Sequence, residues 1–154
     1  DKQSHSPAVR AKLIQHLIQQ SIWIGGGVAT LLSLTTYLQR NSILMGLTTN
    51  LDIRNAASTI FPVVLLTQVL KGLAYPLNGI IMGGLDWKFS MWCMWLANFA
   101  CVGLLKFWGK GGNMVSLNQI WMALAAFMAT QVVTSFLRFK SKTGVWKALA
   151  QVQR

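Results

Sequence analysis

Four stretches of the chain are almost entirely apolar, and polar residues collect in the segments between and beyond them. The apolar stretches cover about residues 21–38, 59–85, 89–107 and 117–137. Because a helix rises 1.5 Å per residue, about 20 apolar residues are enough to cross the hydrocarbon core of a bilayer. The pattern therefore predicts an all-α, polytopic membrane protein whose residues 21–138 form four transmembrane helices in contact with lipid.

The segments that flank these spans are basic. Within residues 1–20, Val9, Leu13 and Leu17 recur at helical spacing among basic and glutamine residues, which predicts an amphipathic helix at the cytoplasmic membrane surface. Residues 139–154 form a second basic segment, predicted to be a cytoplasmic tail. Since four is an even number of spans, both ends lie on one side of the membrane.

The distribution of charge indicates which side that is. The net charge is +11, with 14 lysines and arginines against 3 acidic residues. The side with both ends carries Lys2, Arg10, Lys12, Lys88, Arg138, Lys140, Lys142, Lys147 and Arg154, and the other side carries Arg40, Arg54, Lys106 and Lys110. The excess predicts cytoplasmic termini, in the plasma membrane or an organellar membrane. Because the basic residues flank apolar runs and no nucleic-acid motif occurs, no nucleic-acid partner is expected.

One face of the second span is polar. At 100° per residue the polar face holds Gln68, Lys71, Tyr75 and Asn78, and the opposite face holds mostly leucines. Lys71 lies about 18 Å from either end of the span, too far for its side chain to reach the membrane surface. We therefore expect this face to line a pathway for a solute or an ion.

The same span contains residues that disturb or pack helices. Pro76 cannot donate a hydrogen bond to the carbonyl of Gly72, which predicts a break or kink there. Gly72, Gly79 and Gly83 form a small-residue stripe on which a second helix can pack closely. Asp86 follows the span, and we interpret it as the N-cap of the next helix or as part of a gating contact.

The sequence lacks the residue patterns of catalysis. It contains neither a cluster of His and Cys at metal-ligand spacing, nor a phosphate-binding loop, nor a catalytic serine motif. We therefore expect no enzymatic activity, no cofactor and no metal. No Asp or Glu lies in the middle of a span, so a carboxylate that couples transport to an ion would belong to another part of a longer protein.

The residues of the second span also resemble those of a known family. Gln68, Val69, Lys71, Tyr75, Asn78, Gly79, Gly83 and Asp86 resemble the tenth helix of the multidrug and toxic compound extrusion transporters. The preceding segment, residues 47–58, is similar to that family's extracellular connection. The resemblance extends over about residues 8–138 and implies that the four spans are the last four of twelve, in the second of two six-helix bundles.

This resemblance implies secondary active transport. The parent protein would export small organic solutes in exchange for protons or sodium by alternating access, with the N-terminal bundle of the same chain as the partner of this one. A cationic Lys71 in the cavity would favour organic anions. Two alternatives remain open from the residues: a four-helix scaffold or assembly subunit, and a lipid-intermediate flippase of similar fold.

Overall fold

The chain folds into one bundle of helices that alternate in direction. A computed structural model describes residues 7–112, 114–141 and 143–147. Its α-helices are α1 (Pro7–Leu38), α2 (Arg40–Leu47), α3 (Leu51–Gly83), α4 (Trp87–Trp108) and α5 (Leu117–Ser141). A short 3₁₀ turn at Lys110–Gly112 lies between α4 and α5, and another at residues 144–147 lies after α5. All regular structure in these residues is helical, which confirms the predicted fold class.

The four predicted spans correspond to the four long helices. The segments long and apolar enough to cross a membrane are Lys12–Leu38, Leu51–Gly83, Trp87–Trp108 and Leu117–Ser141. Large apolar side chains, such as Leu31, Trp95 and Phe99, are more than half exposed on the outside of the bundle. An apolar surface of this kind is stable against lipid hydrocarbon and not against water, so the chain is a polytopic membrane fragment.

The basic segment before the first span differs from the expected surface helix. From Pro7 onward it continues without interruption into the span as a single 32-residue helix. Its apolar residues Ile14 and Ile18 pack against the buried cluster of the bundle rather than facing away from it. With no glycine or proline between Ala8 and Ile24, nothing in the local sequence ends the helix at the start of the span. Residues 1–6 lie outside the described chain.

The connection before α3 is also more helical than expected. Residues 47–58, expected to form an extracellular connection, are mostly helical, and only residues 48–50 separate α2 from α3. The Asn50 side-chain oxygen accepts hydrogen bonds from the backbone N–H groups of Asp52 and Ile53, at 2.9 and 3.4 Å. This N-cap starts α3 two turns before its apolar run, because capping does not depend on hydrophobicity.

α3 lies at the centre of the fold. It packs against α1 on one side and α5 on the other, and α4 packs against α5. At the α1–α3 crossing, a Cβ added to Gly25 or Gly72 would overlap the backbone carbonyl of the other glycine. Gly26 similarly makes room for Leu73. The backbones of α1 and α3 therefore touch directly, as small residues at a membrane-helix crossing allow.

The most buried apolar cluster lies at one end of the bundle. Its members are Leu77 and Ile81 of α3, Phe139 of α5 and Trp146. Side chains from the first half of α1, including Ile18, pack against it. The start of α1 and the residues after α5 therefore meet at the same end, as an even number of spans requires.

α3 does not open at its prolines. The helix is continuous from Leu51 to Gly83 and includes both Pro62 and Pro76. The opening predicted beside Lys71 is therefore not formed, and a bend of the continuous helix at Pro76 stays a prediction. Proline removes only one hydrogen-bond donor, and the turns before and after it keep theirs. The Pro76 ring also packs against α1, since a Cβ at Gly25 would lie 2.9 Å from its Cγ.

We expect Gly72→Ala and Gly25→Ala to lower the thermal unfolding midpoint of the purified full-length protein. Each adds a methyl group where the two backbones touch, and overpacking of this kind costs about 1–3 kcal/mol. Gly27→Ala is the matched control, because nothing lies within 4 Å of a Cβ at Gly27. Equal midpoints for Gly25→Ala and Gly27→Ala would contradict the crossing.

Candidate functional site

The predicted polar face of α3 is largely uncovered by the helices described. Gln68 is exposed, Tyr75 is 61% exposed, and Lys71 and Asn78 are partly buried. α1 packs against α3 at Gly72 and Leu73, and α5 contacts it through Asn78, while Gln68 and Tyr75 stay exposed. The four side chains therefore share one open surface of the bundle, which we call the polar face.

Lys71 is the only cation on the polar face. No residue in the described part of the chain forms a hydrogen bond or an ion pair with its ammonium group. Of the two described carboxylates, Asp52 lies in the first turn of α3 and Asp86 beyond its end. A cation at this depth in the membrane needs water, an anion or a carboxylate beside it. Its partner must therefore come from outside the described residues.

Asn78 connects the polar face to the interior of the bundle. Its Nδ2 donates a hydrogen bond to Gln131 Oε1 of α5 at 2.8 Å. Gln131 is 2% exposed, and its Nε2 lies 3.0 Å from Met94 Sδ of α4. Because a thioether is a weak acceptor, the Gln131 amide is held mainly by Asn78. Asn78 is thus directed towards α5, whereas Gln68 and Tyr75 are open.

Sequence analysis did not identify the polar side chains on the inner face of α5. Gln131 and Ser135 are both buried, and Ser135 Oγ has no hydrogen-bond partner among the described residues. Beside them, Cys93 Sγ lies 2.8 Å from Thr134 Oγ1. The signal for Gln131 was present, since an amide in the middle of an apolar span requires a polar partner. No three His, Cys, Asp or Glu side chains of the described chain group together as metal ligands.

Two glycines beside the polar face have no packing partner. Gly79 and Gly83 are exposed, and nothing in the described residues lies within 4 Å of a Cβ built on either. Gly72, the third member of the predicted stripe, lies instead at the α1 crossing. The close helix contact expected at Gly79 and Gly83 is therefore not made by α1, α4 or α5. These two glycines extend the open surface of α3.

Asp86 makes a different contact from the expected cap. It occupies the N-cap position of α4, but its side chain forms no capping hydrogen bond. Its Oδ2 accepts hydrogen bonds from Arg138 Nε at 2.7 Å and from Trp146 Nε1 at 3.1 Å. Charge-assisted bonds of this kind are stronger than a bond to a neutral backbone N–H. Asp86 therefore links the α3–α4 corner to the end of α5.

The residues after α5 fold back onto this corner. Trp146 is 4% exposed, packs edge-on against Phe139 at 4.9 Å, and lies so close to Gly84 that a Cβ there would be 2.8 Å from its ring. We call residues 143–147 the strap. The basic tail predicted for residues 139–154 is thus helical to Ser141 and then packed on the bundle, while residues 148–154 lie outside the described chain.

Comparison with known proteins gives one family and one distant relative. The MatE family model matches residues 8–107. Protein DETOXIFICATION 43 of Arabidopsis thaliana is 26% identical over 88 residues, which cover 57% of this chain and 16% of the relative. The chain therefore corresponds to only a small part of that relative's length. No solved structure matches the chain.

We expect the Asn78–Gln131 contact to behave as a coupled pair in a double-mutant cycle. Asn78→Leu leaves the buried Gln131 amide without its main partner, which costs about 1–3 kcal/mol, and Gln131→Leu leaves the partly buried Asn78 amide without its partner, which costs less. The double variant removes both amides, so its loss of unfolding free energy is smaller than the sum of the single losses. Thermal unfolding of the full-length protein measures these losses. The control is Asn118→Leu at an exposed position, whose loss of unfolding free energy should simply add to that of Gln131→Leu. Strict additivity for Asn78 and Gln131 would contradict the contact.

Arg138→Met is expected to destabilise the full-length protein by about 1–3 kcal/mol, because it leaves the Asp86 carboxylate without its cation. This loss of stability is smaller than for a fully buried ion pair, because the Arg138 side chain is 22% exposed. Lys140→Met removes an exposed charge two residues away and is expected to change the unfolding midpoint little. Equal midpoints for the two variants would show that the ion pair does not stabilise the fold.

Proposed function

The chain belongs to the MatE family, and on that basis we propose that it forms part of a secondary active transporter that exports small organic solutes. The match confirms the family expected from the residues of α3. Export moves a solute across the bilayer without breaking its bonds, so the proposed activity requires neither catalytic residues nor a cofactor. The rest of the proposed transporter, including an N-terminal six-helix bundle, belongs to the parent protein.

The observation that carries this proposal is the open polar face of α3. Polar side chains exposed on the middle of a membrane helix are costly against hydrocarbon and stable against a wet cavity or another part of the protein. Gln68, Lys71 and Tyr75 are arranged in this way, with flanks covered by α1 and α5. We assign the polar face to the wall of the solute pathway.

Lys71 suggests the charge of the solute. Its ammonium has no ion pair in the described part of the chain, so it is available to an anion in the cavity. At short range in a poorly solvated site, a unit charge attracts an opposite charge by several kcal/mol in order of magnitude. We therefore propose that organic anions are transported in preference to organic cations.

The open Gly79–Gly83 stripe supports a mobile partner for α3. Its backbone can be approached closely by another helix, and α1, α4 and α5 do not occupy it. In our proposal the N-terminal bundle closes on this surface in one state and withdraws in the other. This movement corresponds to the alternating access that the family resemblance implies.

The coupling ion is proposed to bind outside these spans. Transport coupled to protons or sodium commonly uses a membrane-embedded carboxylate, and the middle of each described span contains none. Asp86 is already paired with Arg138. We therefore place the coupling carboxylate on the N-terminal bundle, and both ends of the present chain in the cytoplasm on the basis of the basic residues there.

The test is solute flux in proteoliposomes that contain the full-length protein, under an imposed pH or sodium gradient. An organic anion and an organic cation of similar size are compared for the wild type and Lys71→Met. We expect gradient-dependent anion flux, reduced at least about tenfold in Lys71→Met, or about 1.4 kcal/mol of lost stabilisation. The matched control is Lys106→Met, an exposed lysine in the last turn of α4, which keeps its flux.

The other outcomes separate the alternatives. Cation flux that survives Lys71→Met would retain the transporter but contradict the proposed role of Lys71. If neither solute moves while fluorescent lipids exchange between leaflets, the protein is a flippase. Absence of both activities in protein that remains folded would favour a scaffold or assembly subunit.

A further inference from the structure

One guanidinium group makes the charged contacts between the strap and the bundle, beside the apolar packing of Trp146. Arg138 donates from Nε to Asp86 and from Nη1 to Thr143 Oγ1, each bond shorter than 3 Å. Its third nitrogen lies beside Gly144, where a Cβ would be 3.0 Å away. The same side chain therefore joins the α3–α4 corner, the end of α5 and the first residue of the strap.

The hydroxyl at this junction is accessible from outside. Thr143 is exposed, and so is Ser141 two residues before it. The surrounding sequence, RFKSKTGVWK from Arg138 to Lys147, contains basic residues on both sides of the two hydroxyls. Protein kinases that select basic surroundings recognise such segments, and phosphorylation of basic segments beside a membrane is a known way to change their contacts.

We propose that Thr143 is a phosphorylation site and that its phosphate draws Arg138 away from Asp86, which loosens the strap from the α3–α4 corner while Thr143 stays bound to α5. A kinase transfers the γ-phosphoryl group of ATP to Thr143 Oγ1. A bond forms between Oγ1 and the γ-phosphorus as the bond to the bridging oxygen of ADP breaks, and the hydroxyl proton passes to the kinase. This inference rests on the cytoplasmic position proposed above for both ends of the chain, and it is independent of the transported solute.

The hydrogen bonds distinguish Thr143 from Ser141 as the acceptor. Thr143 Oγ1 already accepts a hydrogen bond from Arg138, so a phosphate there adds acceptor oxygens and negative charge where a guanidinium nitrogen points. Ser141 Oγ lies 3.2 Å from Thr143 Oγ1 and has no contact with the guanidinium; it donates to the backbone carbonyl of Arg138 at 2.8 Å. Phosphorylation of Ser141 would remove that donor and disturb the last turn of α5.

Release follows from the burial of Asp86. A phosphate carries a charge of about −1.5 to −2 and competes with a single carboxylate for the same cation. Once Arg138 turns to the phosphate, Asp86 keeps only Trp146 Nε1 as a partner while it is 9% exposed. A buried carboxylate without its cation is unstable, so Asp86 turns to water and the Trp146 bond is lost with it. The strap then keeps only the apolar packing of Trp146 against Phe139 and Gly84, so it opens more readily from the α3–α4 corner.

The experiment begins with the full-length protein, ATP and a protein kinase that selects basic segments. Mass spectrometry locates the phosphate, and hydrogen exchange reports on the strap, whose Trp146 N–H donates to the Thr143 carbonyl at 3.1 Å. We expect phosphate on Thr143 and exchange in residues 143–147 at least about tenfold faster than in the unmodified protein, since the strap loses its protection. Thr143→Val should abolish the label and keep slow exchange.

Two further variants keep the inference open to refutation. Arg138→Met should give fast exchange in the strap without any phosphate, whereas Lys140→Met should leave exchange slow. Thr143→Glu should accelerate exchange without a kinase. Phosphate found only on Ser141, absence of phosphate on Thr143, or phosphorylated Thr143 with unchanged or slower exchange would each overturn the proposal.

Discussion

The backbones of α1 and α3 meet at Gly25 and Gly72 with no side chain between them. Within lipid, where apolar side chains gain little by associating, such close packing is a main source of helix attraction. This crossing fixes the rotation of α3, since only one face can present Gly72 to α1. With α5 packed on the other flank, the face that bears Gln68, Lys71 and Tyr75 is left open. The availability of the polar face thus depends on two glycines that are not part of it.

The polar contacts inside the bundle follow from the same constraint. A polar group in a dry membrane interior must find its hydrogen bonds within the protein. Asn78 and Gln131 do this for each other between α3 and α5, and they keep α5 in one register against α3. Lys71, about two turns away from Asn78 along α3, has no such partner in the described part of the chain. The contrast separates a structural amide from a cation available to a ligand.

At the end of the bundle, charge and aromatic packing act together. Asp86 is placed by the turn between α3 and α4, and its carboxylate holds both Arg138 and the Trp146 indole. Gly84 leaves space for the Trp146 ring, and Phe139 packs against its edge. The strap is therefore attached both by a few directional bonds to one carboxylate and by the apolar packing of Trp146. A local change of charge weakens the directional bonds and leaves the apolar packing in place.

The sequence by itself determined the four spans, the fold class and the composition of the polar face, because hydrophobic runs and the 100° spacing of a helix are local properties. It also indicated the family, through residues close together on α3. Only the tertiary structure decided that α3 stays continuous at Pro76, that Gly72 packs while Gly79 and Gly83 stay open, and that Asp86 pairs instead of capping. The pairs Asn78–Gln131 and Asp86–Arg138 join residues 53 and 52 positions apart. Such contacts depend on how helices rotate and pack against one another, which no local pattern specifies.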